Sequence, residues 1–134
     1  RLPRTLCVID QAIASELTGF EFDWFAVDSD GNLALFATAG EGFVPDCVGV
    51  HHEDHSLLSD SLPVPRTGTP EVWNDYAALG FFVFDWDLPG GPYEKRAAPA
   101  CKASGVLMKK VLAVPDLPRF YGSFSNVSKV DRWQ

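Results

Sequence analysis

The three histidines of the chain lie within one short run, His51-His52-Glu53-Asp54-His55. On a helix, His51 and His55 are one turn apart, so their rings can reach the same face and share a metal ion. The metalloprotease pattern His-Glu-x-x-His is not matched, because His52 and His55 are one residue too close together. A run of charged and polar residues is also typical of a solvated helix face. Two interpretations stay open: a metal site at His51, His52 and His55, serving a small metal-binding protein or hydrolase, or a surface that titrates near neutral pH.

Acidic residues accompany the two most apolar runs of the chain. Asp23, Asp28 and Asp30 lie near the first run, and Asp85 and Asp87 end the second. Two carboxylates across a cleft can carry glycoside hydrolysis, but the sequence does not give their separation. The alternative is that these acids are exposed strand ends.

The run Asp28-Ser29-Asp30-Gly31-Asn32 resembles the start of a calcium-binding loop. With Asp28 as the first ligand, the sixth and twelfth positions hold Leu33 and Ala39, where such a loop needs Gly and Glu. The run therefore predicts a hairpin turn, in which Asp and Asn bond the local backbone and Gly31 takes a positive φ.

Cysteine usage and known motifs give no further chemistry. Cys7, Cys47 and Cys101 are far apart and odd in number, which predicts free thiols in a reducing cytosol. A nucleophilic pair of Cys47 or Cys101 with a histidine is the alternative. No Gly-x-Ser-x-Gly nucleophile motif is present, and the sequence predicts no cofactor.

Charge is distributed unevenly along the 134 residues, whose formal net charge is −7. Residues 1–92 hold 15 acidic and 3 basic residues, a net of −12, whereas residues 93–134 hold 3 acidic and 8 basic, a net of +5. Between Arg4 and Arg66 there is no Lys or Arg, so nucleic-acid binding by this region is not expected. The region is either an acidic surface that aids solubility or one that attracts a basic partner.

The elements that would position these residues begin with a hairpin. Residues 24–27 and 33–38 are nearly continuous apolar runs, which predicts two central strands covered on both faces. Before them, residues 5–18 show a helical apolar stripe, with a short strand at 6–9 as the alternative. After them, a helix is predicted from Pro45 to about Ser61.

A second group of elements follows a proline-rich loop. Thr69 and Pro70 predict the start of a helix that ends at Gly80. Residues 80–87 and 93–97 predict an antiparallel strand pair, residues 105–114 a strand or short helix, and residues 120–127 a last strand. The sequence thus predicts a single α+β domain over residues 1–134, with a mostly antiparallel sheet and two or three helices packed on it.

The aromatic residues beside these acids indicate where a protein partner could bind. Most of the rings are expected in the core, but the alternation along a strand points Trp24 and Phe25 to opposite faces. One or two exposed rings beside acids would form a binding patch. The predicted binding residues are Asp23, Trp24, Asp28, Asp30, Glu41, Asp85 and Asp87.

The run Trp24-Phe25-Ala26-Val27-Asp28-Ser29-Asp30-Gly31-Asn32-Leu33-Ala34-Leu35-Phe36, with Val44-Pro45 after it, resembles a group of small uncharacterised bacterial proteins. Some proteins of this kind resemble the immunity proteins of bacterial toxin systems. The resemblance transfers no catalytic residue. The gap in Lys and Arg between Arg4 and Arg66, together with the lack of a catalytic motif, predicts a non-enzymatic protein, such as an immunity protein, that binds a basic partner. No apolar run nears the ~18 residues of a membrane helix and no export signal is visible, so a cytoplasmic location is expected. A purely structural domain is the remaining alternative.

Overall fold

Six short strands form one mixed sheet in the computed structural model, which describes residues 21–131 and 133. The strands are β1 (Asp23–Asp28), β2 (Leu33–Ala37), β3 (Phe81–Asp85), β4 (Tyr93–Ala97), β5 (Arg119–Phe120) and β6 (Lys129–Val130). Their order across the sheet is β5-β1-β2-β3-β4-β6. The pairs β1–β2, β3–β4 and β4–β6 are antiparallel, whereas β2–β3 and β1–β5 are parallel.

The predicted hairpin is confirmed and lies at the centre of the sheet. β1 and β2 pair from Asp23 opposite Ala37 to Val27 opposite Leu33. The Asp28 carboxylate organises the turn, because its Oδ1 accepts hydrogen bonds from the backbone N–H groups of Asp30 and Asn32. Gly31 has a φ of +82°, the left-handed conformation that the turn requires.

Four helices occur in the described residues: α1 (Asp46–Val50), α2 (His52–Ser61), α3 (Val72–Leu79) and α4 (Gly105–Leu112). Successive strand residues point to opposite faces of the sheet, so Phe25 and Val83 belong to one core cluster and Trp24 and Phe84 to another. Helices α2, α3 and α4 cover the first of these two faces, which we call the helical face.

The opposite face is covered mainly by aromatic rings, and we call it the aromatic face. Trp24 stacks on Phe36 with 4.2 Å between ring centroids, and Phe36 stacks on Phe84 at 4.9 Å. The Trp24 indole donates a hydrogen bond to the Tyr93 hydroxyl, which in turn donates to the Phe43 carbonyl. The prediction that both faces of the hairpin are covered is therefore confirmed.

The single helix predicted from Pro45 to Ser61 is wrong, because the chain breaks at His51 into α1 and α2. Val48 of α1 is buried on the aromatic face, whereas Leu58 of α2 is buried on the helical face. One straight helix cannot contribute to both faces of the sheet. His51, with φ −109° and ψ 30°, redirects the chain between them.

The two later helices, α3 and α4, differ in the residues that cap their ends. Gly80 follows α3 in the left-handed conformation, as predicted. Thr69 does not cap that helix, because α3 begins at Val72 with Glu71 at the N-cap and no side chain accepts from its first turn; the Thr69 hydroxyl donates to the Arg66 carbonyl. The run from residue 105 forms helix α4, and the Ser104 hydroxyl caps it by accepting from the N–H of Leu107.

A last strand over residues 120–127 is not observed. β5 and β6 are two residues long, and most of the chain between them is irregular. The N–H of Phe124 donates to Asp28 Oδ2 at 2.7 Å, and the N–H of Ser29 donates to the Gly122 carbonyl. These bonds tie the segment to the hairpin turn, so its backbone does not form a ladder.

The predicted fold class is confirmed as α+β, with three of the five strand pairings antiparallel. The helix predicted over residues 5–18 lies outside the described residues. Within the described part of the chain, none of the helices has the length and apolar character needed to span a bilayer.

Candidate functional site

Three residues on neighbouring strands form a row at one end of the helical face. Asp23 of β1 pairs with Ala37 of β2, and Ala37 pairs with Asp85 of β3. Asp23 and Asp85 are therefore two strand spacings apart, about 10 Å between Cα atoms. The methyl group of Ala37 is the only side chain between them in this row, so space remains above it.

That space is a cleft of about 760 Å³ between the sheet end, helices α2 and α3, and the loop that precedes α3. Its volume lies in the range of small-molecule and peptide side-chain pockets. The acidic residues in its lining are Glu21, Asp23, Asp60 and Asp85. None of the described residues that line it is Lys, Arg or His. The hydroxyl and aromatic residues in the lining include Thr38, Ser56, Ser59, Phe22, Trp73 and Tyr76.

Asp23 is held by two hydroxyl groups from the helices above it. Ser59 of α2 donates to Asp23 Oδ2 at 3.1 Å, and Tyr76 of α3 donates to the same oxygen at 3.4 Å. Burial raises the pKa of the Asp23 carboxyl above its usual value, and the negative charges of Asp85 and Asp60 raise it further, against the two hydroxyl bonds. Burial also raises the pKa of Tyr76, to about 12, and the neighbouring Asp23 adds to that shift.

Asp85 lies in a different environment because a cation is near it. Arg96 of β4 places its Nε 3.7 Å from Asp85 Oδ2 and its Nη2 2.8 Å from Asp87 Oδ2. Burial raises the pKa of Asp85, the Arg96 charge opposes that rise, and the charges of Asp87 and Glu21 add to it. The predicted binding residues Asp85 and Asp87 thus share one arginine, and Asp85 also faces the cleft.

The histidines predicted to bind a metal lie in different environments. His55 is fully buried, and its Nδ1 accepts a hydrogen bond from the N–H of Phe25 at 3.1 Å. His51 lies near two carboxylates, with Nδ1 3.5 Å from Asp54 and Nε2 3.4 Å from Asp116. Over residues 21–131 and 133, no group of three or more His, Cys, Asp or Glu side chains could hold a metal ion, and the histidine run is not such a group.

His55 is instead part of the framework that holds β1. Burial lowers the pKa of its ring to about 4, the nearby His51 adds to that shift, and Asp54 opposes it. Because Nδ1 accepts a hydrogen bond, the neutral ring carries its proton on Nε2. His55 therefore supplies β1 with a hydrogen-bond acceptor at Phe25, two residues after Asp23 in the same strand.

The remaining predicted binding residues divide into enclosed and exposed groups. Trp24 is fully buried and Asp28 is 3% exposed, with its two oxygens taken by backbone N–H groups and the Asn32 amide. Neither side chain presents a surface to a partner, and we leave both out of the site. Asp30 and Glu41 are exposed, but neither lines the cleft.

Sequence reasoning named Asp23 and Asp85 but missed Ala37, Ser59 and Tyr76. Period-two alternation from Phe25 and from Val83 would have placed both acids on the helical face. The parallel pairing of β2 with β3 was the missing step, since only this register sets both acids beside Ala37. No sequence signal marks Ser59 or Tyr76 as partners of Asp23.

The fold and the site together define an α+β protein with an acidic, partly aromatic cleft at one end of its central sheet. The chain matches no protein-family model, no curated protein and no solved structure.

Proposed function

We propose that this chain is a non-enzymatic binding protein and that the acidic cleft receives a basic protein partner. One observation carries the proposal: four carboxylates line a cleft of about 760 Å³ with no cationic side chain among its described lining residues. Carboxylates held together in a partly buried site repel one another, and an incoming cation relieves that repulsion.

The rim and the interior of the cleft differ in exposure. Glu21 and Asp60 are exposed, so their charges act on an approaching partner through solvent. Asp23 and Asp85 are less exposed and lie at the floor of the cleft. Rim charges mainly accelerate association and make it sensitive to salt, whereas buried charges mainly affect dissociation.

The chain resembles small uncharacterised bacterial proteins, some of which resemble the immunity proteins of bacterial toxin systems, and this supplies a biological setting for the proposal. In that setting, the partner is a basic toxin in the bacterial cytoplasm, and the acidic cleft covers its cationic functional groups. The absence of Lys and Arg between Arg4 and Arg66 supports the same partner chemistry.

A defined probe tests the binding. The probe is a fluorescein-labelled peptide of alternating Arg and Ser, and its control replaces each Arg with neutral citrulline. Anisotropy titrations at low and high salt would show binding of the Arg peptide alone, weakened by salt. A pair of variants localises it: Glu21→Lys with Asp60→Lys reverses the rim, and Asp30→Lys with Glu53→Lys makes the same charge change at exposed acids outside the cleft.

We expect the rim variant to weaken binding by about tenfold or more and the control variant by less than about threefold. Equal losses in both variants would show that only the net charge matters and would contradict a site at the cleft. Equal binding of the Arg and citrulline peptides would contradict recognition of a basic partner.

A second candidate function, glycoside hydrolysis, is favoured by the row of Asp23, Ala37 and Asp85. Two carboxyl groups across a cleft can serve as the acid and as the base that activates water in an inverting glycosidase. A panel of nitrophenyl glycosides tests it. Release of nitrophenol that is lost in both Asp23→Asn and Asp85→Asn would support this function, and no release above a blank would remove it.

A further inference from the structure

The floor of the cleft has a definite shape that follows from strand register. Asp23 and Asp85 stand on either side of Ala37, and the short Ala37 side chain leaves a slot between the two carboxylates. A larger side chain at residue 37 would occupy this slot. The slot is therefore built from one small residue and two acids on three adjacent strands.

The two carboxylates of the slot have room for a hydrogen-bond donor. Ser59 and Tyr76 both donate to Asp23 Oδ2, which leaves Oδ1 without a donor from the described residues. None of the ion pairs among residues 21–131 and 133 includes Asp23. Among the residues that the structure describes, Arg96 is the one cation that pairs with Asp85, and its closer contact is with Asp87. The slot thus contains more negative charge than the described residues neutralise.

The walls of the cleft favour a guanidinium over other cations. Trp73 of α3 lines it and is only partly buried, and guanidinium groups stack on aromatic faces as well as bonding to carboxylates. A guanidinium also presents five N–H donors in one plane, directed to different sides, so it can bond carboxylates on both sides of the slot. An ammonium is a smaller point charge without this planar spread.

We propose that an arginine side chain of the basic partner enters the slot, with its guanidinium between Asp23 and Asp85 and its aliphatic stem over Ala37. The proposal rests on the proposed binding function and names the group that the cleft recognises. The partner is thereby a protein with an exposed arginine at the centre of its interface.

A small probe tests the slot apart from the rim. N-acetyl-arginine N-methylamide is titrated into the full chain while carboxyl-carbon NMR resonances are followed, with the citrulline and lysine counterparts as comparisons. We expect saturable shifts of the Asp23 and Asp85 carboxyl resonances with the arginine probe, at least about threefold weaker binding of lysine, and no saturable shift with citrulline. Shifts confined to Glu21 and Asp60, or an equal response to citrulline, would overturn the proposal.

A steric variant tests the same slot without changing charge. Ala37→Met fills the space between the two carboxylates, and Ala78→Met adds the same side chain at an exposed position of α3 outside the cleft lining. We expect Ala37→Met to weaken the arginine probe by about tenfold and Ala78→Met to leave it unchanged. Unchanged binding in a folded Ala37→Met protein would overturn the proposal, and the carboxyl shifts of the unmodified chain decide it if that variant does not fold.

The outcomes separate this proposal from the proposed function. If the rim reversal weakens the Arg peptide while Ala37→Met does not, the cleft binds a basic partner without the slot. If the Arg peptide fails to bind at all, the proposed function fails, and the small probe still decides whether the slot takes a guanidinium.

Discussion

The burial of His55 is expected to make the folding stability of this protein fall as the pH drops. The ring is fully buried, its Nδ1 accepts from the N–H of Phe25, and it stacks on the Phe25 ring with 6.1 Å between centroids. Protonation of Nδ1 removes the acceptor and places a charge in the core. The His55 ring therefore binds a proton less tightly in the folded protein than in the unfolded chain.

The magnitude follows from the two pKa values. The folded value is about 4 and the unfolded value is 6.5. Between these values the unfolded state binds more protons, so the stability from neutral His55 is complete above pH 6.5 and falls as the pH drops toward 4. At about pH 5, above the sequence pI of 4.7, the linkage relation gives a loss of about 2 kcal/mol of unfolding free energy relative to about pH 7.5.

Urea unfolding at several pH values between about 7.5 and 5 measures this loss. His55→Asn keeps an amide oxygen at the position of the Nδ1 that accepts from the Phe25 N–H and cannot titrate, and His52→Asn controls for a histidine on the same helix that is not buried. Asp23, with its raised pKa, has the opposite pH dependence, and it cancels in the difference between wild type and variant. A difference that stays constant over this pH range would refute the structural role assigned to His55.

Three further predictions concern the framework around the site. Gly80→Ala should destabilise the fold by about 2 kcal/mol or more in urea unfolding, because φ is +111° and a Cβ would collide with the backbone of the loop before α4. Asp28→Ala should cost about 3 kcal/mol, since the turn and the Phe124 segment lose their acceptor, whereas Asp30→Ala should stay within about 0.5 kcal/mol. Tyr93→Phe should cost about 2 kcal/mol by leaving the Trp24 indole N–H buried without its acceptor, as thermal unfolding would show.

The hairpin was predictable from sequence because local rules determine it. Apolar runs on either side of Asp28 and Gly31 allow only a tight turn, and the structure has that turn. Gly80 likewise marked a helix end, because the conformation just past a helix favours glycine. Such features depend on a few residues that are close in the chain.

Features that depend on distant contacts were not predictable in this way. The break at His51 arises because α1 and α2 pack on different faces of the sheet, which no property of residues 45–61 reveals. Residues 120–127 alternate as a strand would, yet their backbone bonds to Asp28 and Ser29 in the hairpin turn. Tertiary contacts overrode a local pattern in both cases.

The structure also shows that several of the acidic residues are paired or hydrogen-bonded within the fold. Asp75 pairs with Arg66, Asp85 and Asp87 share Arg96, and Asp28 is satisfied by N–H donors. These contacts neutralise or solvate charge that the sequence presented as one acidic region.

Some acids without an ion pair among the described residues, such as Asp30 and Glu53, lie on the exposed surface, whereas those that line a common space are at the cleft. Glu21, Asp23 and Asp60 form no ion pair with the described residues, and they lie around a space that Ala37 leaves open. Field lines from charges in a partly enclosed cleft are focused by its low-dielectric walls, so three such charges attract a cation more strongly there than on an open surface. The sequence alone shows only that the chain is acidic. The fold brings some of these acids together, so that the attraction for a cation is expected to be strongest in the slot beside Ala37.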